Sequence, residues 1–271
     1  MDGYYSELGL FTIRSKIESC AKYVKSRGMI PVIHLTKSHR SFYSNFANDD
    51  IWQKFFEQPE GYSYDEVLKS KNVFFSPGFY NGSIQSYIMD CASKDVQLTW
   101  PQGLYNDKVK EYIKEKQAQF LPYPDQTLGV LARGTDFAHT QLHNHPIHAS
   151  IEQICDKIDE VWETWGNFKY IYVATEDEEY CRYLKQRYGD RIYFTDQQRY
   201  TTSTGQLLSQ LHREEKRDGY IMGVEYIVSI KLLAECHSLI ASGGCSGLEQ
   251  VLKENGGNYR NTYVFHLGIN R

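Results

Sequence analysis

Past residue 125 the chain alternates short apolar runs with helix-patterned stretches. Leu128 to Ala132, Tyr170 to Ala174, Arg191 to Thr195, Ser238 to Ala241 and Thr262 to His266 read as strands. Between them Ile151, Ile154, Ile158, Val161 and Trp162 mark one helix face, and Glu178 to Tyr188, Gly219 to Glu235 and Ser246 to Glu254 predict three more helices. Strands that alternate with helices predict a mainly parallel sheet covered on both faces. Ligands of such sheets bind beyond the carboxyl ends of the strands.

The first half follows the same pattern more loosely. Ile17, Cys20, Ala21 and Val24 fall at helical spacing, with Gly28 as a stop. Ile30 to Leu35 predicts a buried strand, with Pro31 tolerated at its start. A short helix follows from Asp49 to Gln58, a strand from Asn72 to Ser76 and a polar-faced helix from Asn106 to Gln119. The stretch Leu121-Pro122-Tyr123-Pro124-Asp125 breaks the pattern, which places a junction between an α/β domain at 1–122 and a second at 123–271. An α/β domain usually opens on a strand. Here Gly3 to Gly9 leads directly into the first helix, so that strand is expected to be missing or the first domain trimmed.

Composition narrows the field. The 271 residues are 41% hydrophobic and 24% charged, with a formal charge of −4 and no long charge run, so the surface as a whole will not attract nucleic acid. An anionic ligand has to be held by local donors. Six cysteines, none in a Cys-x-x-Cys pair, read as reduced core residues. No stretch of 18 apolar residues occurs and the start is not a signal peptide. The expectation is a cytoplasmic protein without a transmembrane segment, free or peripheral to the inner membrane.

Four segments carry candidate chemistry. In the first, Arg133 leaves a strand beside Gly134 and Asp136. A guanidinium fork there suits two phosphate oxygens, and Gly134 lets the backbone come close; an arginine–aspartate ion pair that fixes the loop is the alternative. In the second, Ala241-Ser242-Gly243-Gly244-Cys245-Ser246-Gly247 joins a strand to a helix. Free N–H groups at such a turn take phosphate, unless it is an ordinary tight connection. It is neither Gly-x-Gly-x-x-Gly nor a P-loop. In the third, Thr175-Glu176-Asp177 at another strand end offers acids for a ribose or base, or a cap for the next helix. The fourth is a group of four histidines, His139, His143, His145 and His148. It lacks the i, i+4 pairing with a neighbouring acid, and no metal site is expected.

Together these segments resemble the GDP-fucose-dependent fucosyltransferases, the α1,6-fucosyltransferases and nodulation fucosyltransferases among them. Gly129-Val130-Leu131-Ala132-Arg133-Gly134-Thr135-Asp136, followed by His145-Pro146 and a helix, is similar to their first motif. Tyr170-Ile171-Tyr172-Val173-Ala174-Thr175-Glu176-Asp177 is similar to their second conserved strand, and Gly223 to Gly247 to their last motif. The likeness spans residues 127–255. The N-terminal half is similar to a looser group of bacterial polysaccharide-cluster proteins through Gly9-Leu10-Phe11 and Trp52 to Pro59. The chain departs from the family pattern in having Leu131 in place of a histidine and Gly134 in place of a second arginine.

The resemblance implies a GT-B-like fold, two Rossmann-like domains facing across a cleft, with the acceptor side in the first and the nucleotide sugar in the second. It implies an inverting, metal-free transfer of fucose from GDP-fucose to a glycan hydroxyl, with no cofactor besides the GDP-sugar donor. It places Arg133, Gly134, Thr175, Asp177, Gly244, Cys245 and Ser246 on the donor, with Arg133 on its pyrophosphate. Glu225 stands in for an acid that binds guanine or ribose in relatives and aligns near Ser229. Arg133, Asp136 and Glu176 are the catalytic candidates, and His139 and His145 join the two acids as possible bases. A sugar-nucleotide or glycan-binding protein without transferase activity, and a transferase for another nucleotide sugar, are the alternatives. The lack of Gly-x-Gly-x-x-Gly argues against a nicotinamide enzyme.

Overall fold

Five strands form one parallel sheet in the order β3-β2-β1-β4-β5. They are β1 (Thr127–Leu131), β2 (Tyr170–Ala174), β3 (Ile192–Tyr193), β4 (Ser238–Ser242) and β5 (Thr262–Phe265). The computed structural model describes residues 9–36, 43, 49–74, 104–136, 143–166, 168–202, 208, 211–212, 215 and 217–271. The chain divides into two compact units: Met1–Val109 with Asp218–Gly223, and Lys110–Arg217 with Val224–Arg271. The sheet belongs to the second.

The helices in chain order are α1 (Leu10–Ser26), α2 (Ile51–Phe55), α3 (Tyr64–Leu68), α4 (Asp107–Phe120), α5 (Ile151–Thr164), α6 (Glu178–Tyr188), α7 (Gly219–Ala234) and α8 (Ser246–Asn255). The central strand β1 is buried along its whole length and pairs with β2 through Thr127↔Tyr170 to Leu131↔Ala174 and with β4 through Leu128↔Ser238 to Leu131↔Ala241. Alternate residues of a strand point to opposite faces, and both faces here are covered. Leu128, Val130 and Ala132 pack with Ile154, Ile158 and Val161 of α5. A Cβ at Gly129, on the opposite face, would lie 3.2 Å from Leu233 of α7 and 3.1 Å from Cys236, so the helix layer presses directly on the strand backbone. Each wholly buried aliphatic side chain in these layers contributes roughly 1.5–3 kcal/mol.

In the second unit, local signals start and stop the helices near where the pattern predicts. Ser150 and Gln153 form a capping box at the start of α5. Gly189, at φ 62°, ends α6, and Gly256 ends α8 in the left-handed conformation. β2 and α6 match their predicted ranges, whereas β3 is shorter than predicted.

The first unit corrects the reading of its strands. Ile30 to Leu35 is not a strand. Its backbone is satisfied by side chains and a helix start: the Gln58 amide accepts from Ile33 N–H at 2.8 Å and donates to Ile33 C=O at 2.7 Å, and Leu35 N–H donates to Asp50 Oδ1 at 3.2 Å. Ile30 is 58% exposed, so the apolar run is not buried on both faces. Asn72 to Phe74 is not extended into a strand either, and residues 75 and 76 lie outside the described residues. Among the described residues this unit is helical and irregular. The buried face of α1 (Leu10, Ile13, Ile17, Ala21) anchors it. Arg14, 3% exposed, is paired with Glu18 at 2.8 Å and sits over the rings of Phe56 and Tyr105. Among the described residues no helix is long and apolar enough to cross a membrane, and Cys20, Cys155, Cys181, Cys236 and Cys245 are free thiols, while Cys91 lies outside them.

Candidate functional site

The carboxyl ends of β1 and β4 lie side by side at Leu131 and Ala241. The strand order reverses between these two strands, where open α/β sheets form a crevice. Two of the predicted segments emerge here together, and a third beside them. Arg133 and Asp136 follow β1; Gly244, Cys245 and Ser246 follow β4; and Thr175, Glu176 and Asp177 follow β2 on the other side of β1.

Arg133 is the centre of the group. Its Nη1 lies 3.3 Å from Glu176 Oε2, and the two side chains are 20% and 13% exposed. Burial works against the guanidinium charge, but the Coulombic pull of Glu176, with Tyr226, Cys245 and Asp136 behind it, outweighs that cost and raises its pKa. The ion pair of the alternative reading therefore exists, with Glu176 as its acid and not Asp136.

The backbone beyond Arg133 is held by Asp177. This carboxylate, 2% exposed, accepts from Thr135 N–H at 2.6 Å through Oδ2 and from Tyr180 N–H at 2.9 Å through Oδ1. One side chain thus pins the end of β1 and caps α6. Gly134 is pressed against it: an added Cβ would meet Asp177 Oδ2 at 2.5 Å and Cγ at 2.7 Å. Thr175 is buried and its hydroxyl accepts from Asp177 N–H at 3.2 Å. Thr135, which the sequence did not single out, is fully buried at φ 50° and puts its hydroxyl 3.1 Å from Asp136 Oδ1 and 3.3 Å from Glu176 Oε1.

On the β4 side, Gly244 takes φ 73°, and a Cβ there would lie 2.6 Å from Pro146 Cβ. The Gly-Gly turn is thus closed by the His145-Pro146 segment as well as by the strand. Cys245 is the N-cap of α8 and makes no side-chain cap bond to it. Leu248 and Glu249 N–H donate back to Cys245 C=O at 3.1 and 3.4 Å. The first N–H groups of the helix, at Ser246 and Gly247, and the positive end of its dipole favour an anion. Tyr226 of α7 stands behind this turn, its hydroxyl 2.9 Å from where a Gly247 Cβ would be.

Glu225 belongs to a separate cluster. It pairs with Arg217 at 3.0 Å, and Arg217 donates to Tyr200 Oη at 2.8 Å. Burial raises the Glu225 carboxyl and Arg217 opposes that rise. Ser229 donates to Gln197, whose amide reaches Thr175 C=O at 3.2 Å. Of the histidines, His139 lies outside the described residues. His148 is buried, and burial together with Arg133 lowers its pKa to about 4. Among the described residues no three His, Cys, Asp or Glu gather to hold a metal ion.

Burial and Arg217 lower His212 to about 4 as well. Between the ordinary 6.5 and about 4, the unfolded chain binds protons on His148 and His212 that the folded chain refuses. Stability therefore falls as pH falls through that window. Denaturant unfolding across it is expected to show this slope, and His148→Gln is expected to flatten it. An unchanged slope in the variant would remove His148 from the balance.

The chain matches no family model and no curated protein sequence. Solved structures do match. The fucosyltransferase NodZ from Bradyrhizobium superposes with a TM-score of 0.56 at 13% identity, over 87% of this chain and 87% of that one. The chain has a fucosyltransferase-like fold. A NodZ α-1,6-fucosyltransferase co-crystallised with GDP gives 0.54 at 14% identity, over 87% and 86%. One soaked with GDP-fucose gives 0.50 at 9%, over 88% and 87%.

Proposed function

We propose that the protein is a glycosyltransferase that moves a sugar, fucose first among them, from a GDP-sugar to a glycan hydroxyl. The observation that carries this reading is that Arg133 and the N-terminus of α8 follow the adjacent ends of β1 and β4. The NodZ structures that share the fold include ones prepared with GDP and with GDP-fucose, which supports the choice of donor.

In this reading the acceptor oxygen bonds to the anomeric carbon as the bond from that carbon to the diphosphate oxygen breaks. The sugar passes through a cationic transition state while negative charge grows on the diphosphate. Arg133 and the N–H groups at Ser246 and Gly247 take up that charge. The acceptor proton goes to one of the two carboxylates flanking Arg133, Asp136 or Glu176. Asp177, Thr175 and Gly134 keep the arginine's backbone in place, and Gly244 and Cys245 shape the turn. The resemblance adds inversion, a nucleoside contact at Glu225 and an acceptor role for the N-terminal domain at 1–122. Because an arginine and a helix terminus do the work that a divalent cation would otherwise do, binding is proposed to need no metal.

Calorimetry with GDP, with and without a chelator, tests this. Micromolar binding in both is expected, and binding that disappears with the chelator would overturn the metal-free reading. A donor-binding protein without transfer is the second reading, favoured by Gly134 in place of a second arginine. GDP-fucose hydrolysis measured beside binding separates the two.

A further inference from the structure

Two carboxylates flank Arg133, and one oxygen of each is already committed. Glu176 Oε2 faces Arg133 Nη1 at 3.3 Å, and Asp136 Oδ2 accepts from Leu208 N–H at 3.1 Å. The remaining oxygens, Glu176 Oε1 and Asp136 Oδ1, both turn to the Thr135 hydroxyl, at 3.3 and 3.1 Å. A hydroxyl has one proton to donate, so it serves one carboxylate at a time and stands between them as the group they share. The backbone supports this placement at a cost. Thr135 has φ 50°, a region that β-branched residues rarely enter, and its N–H is tied to Asp177 Oδ2 at 2.6 Å. Its side chain is wholly buried, which shields the hydroxyl from bulk solvent.

We propose that Thr135 is a positioning residue: its hydroxyl holds Glu176 against Arg133 and Asp136 beside them, fixing the geometry in which the arginine meets the donor diphosphate. The inference rests on the proposed function. Thr135→Val keeps the shape and loses the hydroxyl, whereas Thr135→Ser keeps the hydroxyl. With GDP-fucose, kcat in Thr135→Val is expected to fall about tenfold or more, the loss of a hydrogen bond to a charged group, with a smaller change in donor KM. Thr135→Ser is expected to restore most of it. A purely structural residue behaves differently: activity per folded molecule stays level in both variants while melting temperature changes. Should Thr135→Val not fold, Thr135→Ala against Thr135→Ser makes the same comparison. Equal kcat with and without the hydroxyl overturns this inference and leaves the proposed function standing. Failure of the unsubstituted protein to bind GDP overturns both.

Discussion

Arg133→Ala is expected to lower sugar transfer about a hundredfold, the roughly 3 kcal/mol typical of removing one preorganised donor from a developing anion. The arginine sits just past the end of the central strand with its charge already held by Glu176, so little reorganisation is needed when the diphosphate arrives. The loss should fall more on kcat than on donor KM, because leaving-group charge is largest in the transition state. Arg133→Lys is expected to recover little: a compact ammonium cannot keep Glu176 on one side and span two phosphate oxygens on the other. The fold should survive, since the backbone beyond Arg133 is held independently through Thr135 and Asp177. Steady-state kinetics on both variants, with circular dichroism as the control, are the measurements. Near-normal turnover in either variant takes Arg133 out of the mechanism.

The second large effect is expected at Asp177, and it is one of stability first. Asp177→Ala removes the cap of α6, which typically costs about 1 kcal/mol. It also strands the buried N–H of Thr135, at about 1–3 kcal/mol. Together these lower stability by roughly 3 kcal/mol and the melting temperature by about 6–12 °C. Asp177→Asn keeps one acceptor oxygen for Tyr180 and turns an amide nitrogen toward Thr135 N–H, so it should recover only part of the loss. Nucleotide affinity should fall with Asp177→Ala even where the protein is folded, because the turn that carries Arg133 loses its anchor. Thermal melts paired with GDP titration distinguish this from a donor-contact role, in which affinity would fall with the melting temperature unchanged.

The second unit was legible because its signals are local. Buried parallel strands and their helices write themselves as runs and periodic faces, and the caps at Ser150, Gly189 and Gly256 sit where the chain turns. The strand ends that carry the candidate residues were legible for the same reason. The first unit was not, since Ile33 is satisfied by a glutamine 25 residues away, and an apolar run says nothing about which partner its amides will find. Within the site the same divide appears. Arg133, Glu176 and the β4 turn stand out by residue type and position. The sharing of Thr135 between two acids, the pairing of Glu225 with Arg217 and the seating of Gly244 on Pro146 are contacts that no spacing encodes.

The contact between Gly134 and Asp177 also limits how this sequence can change. A side chain at position 134 has to occupy the space of the Asp177 carboxylate. A second arginine beside the first is therefore expected to displace that carboxylate. Replacing Asp177 beforehand deprives the strand end of its anchor, and making Gly134→Arg beforehand forces a steric collision. The glycine at 134 and the carboxylate at 177 are therefore expected to change together.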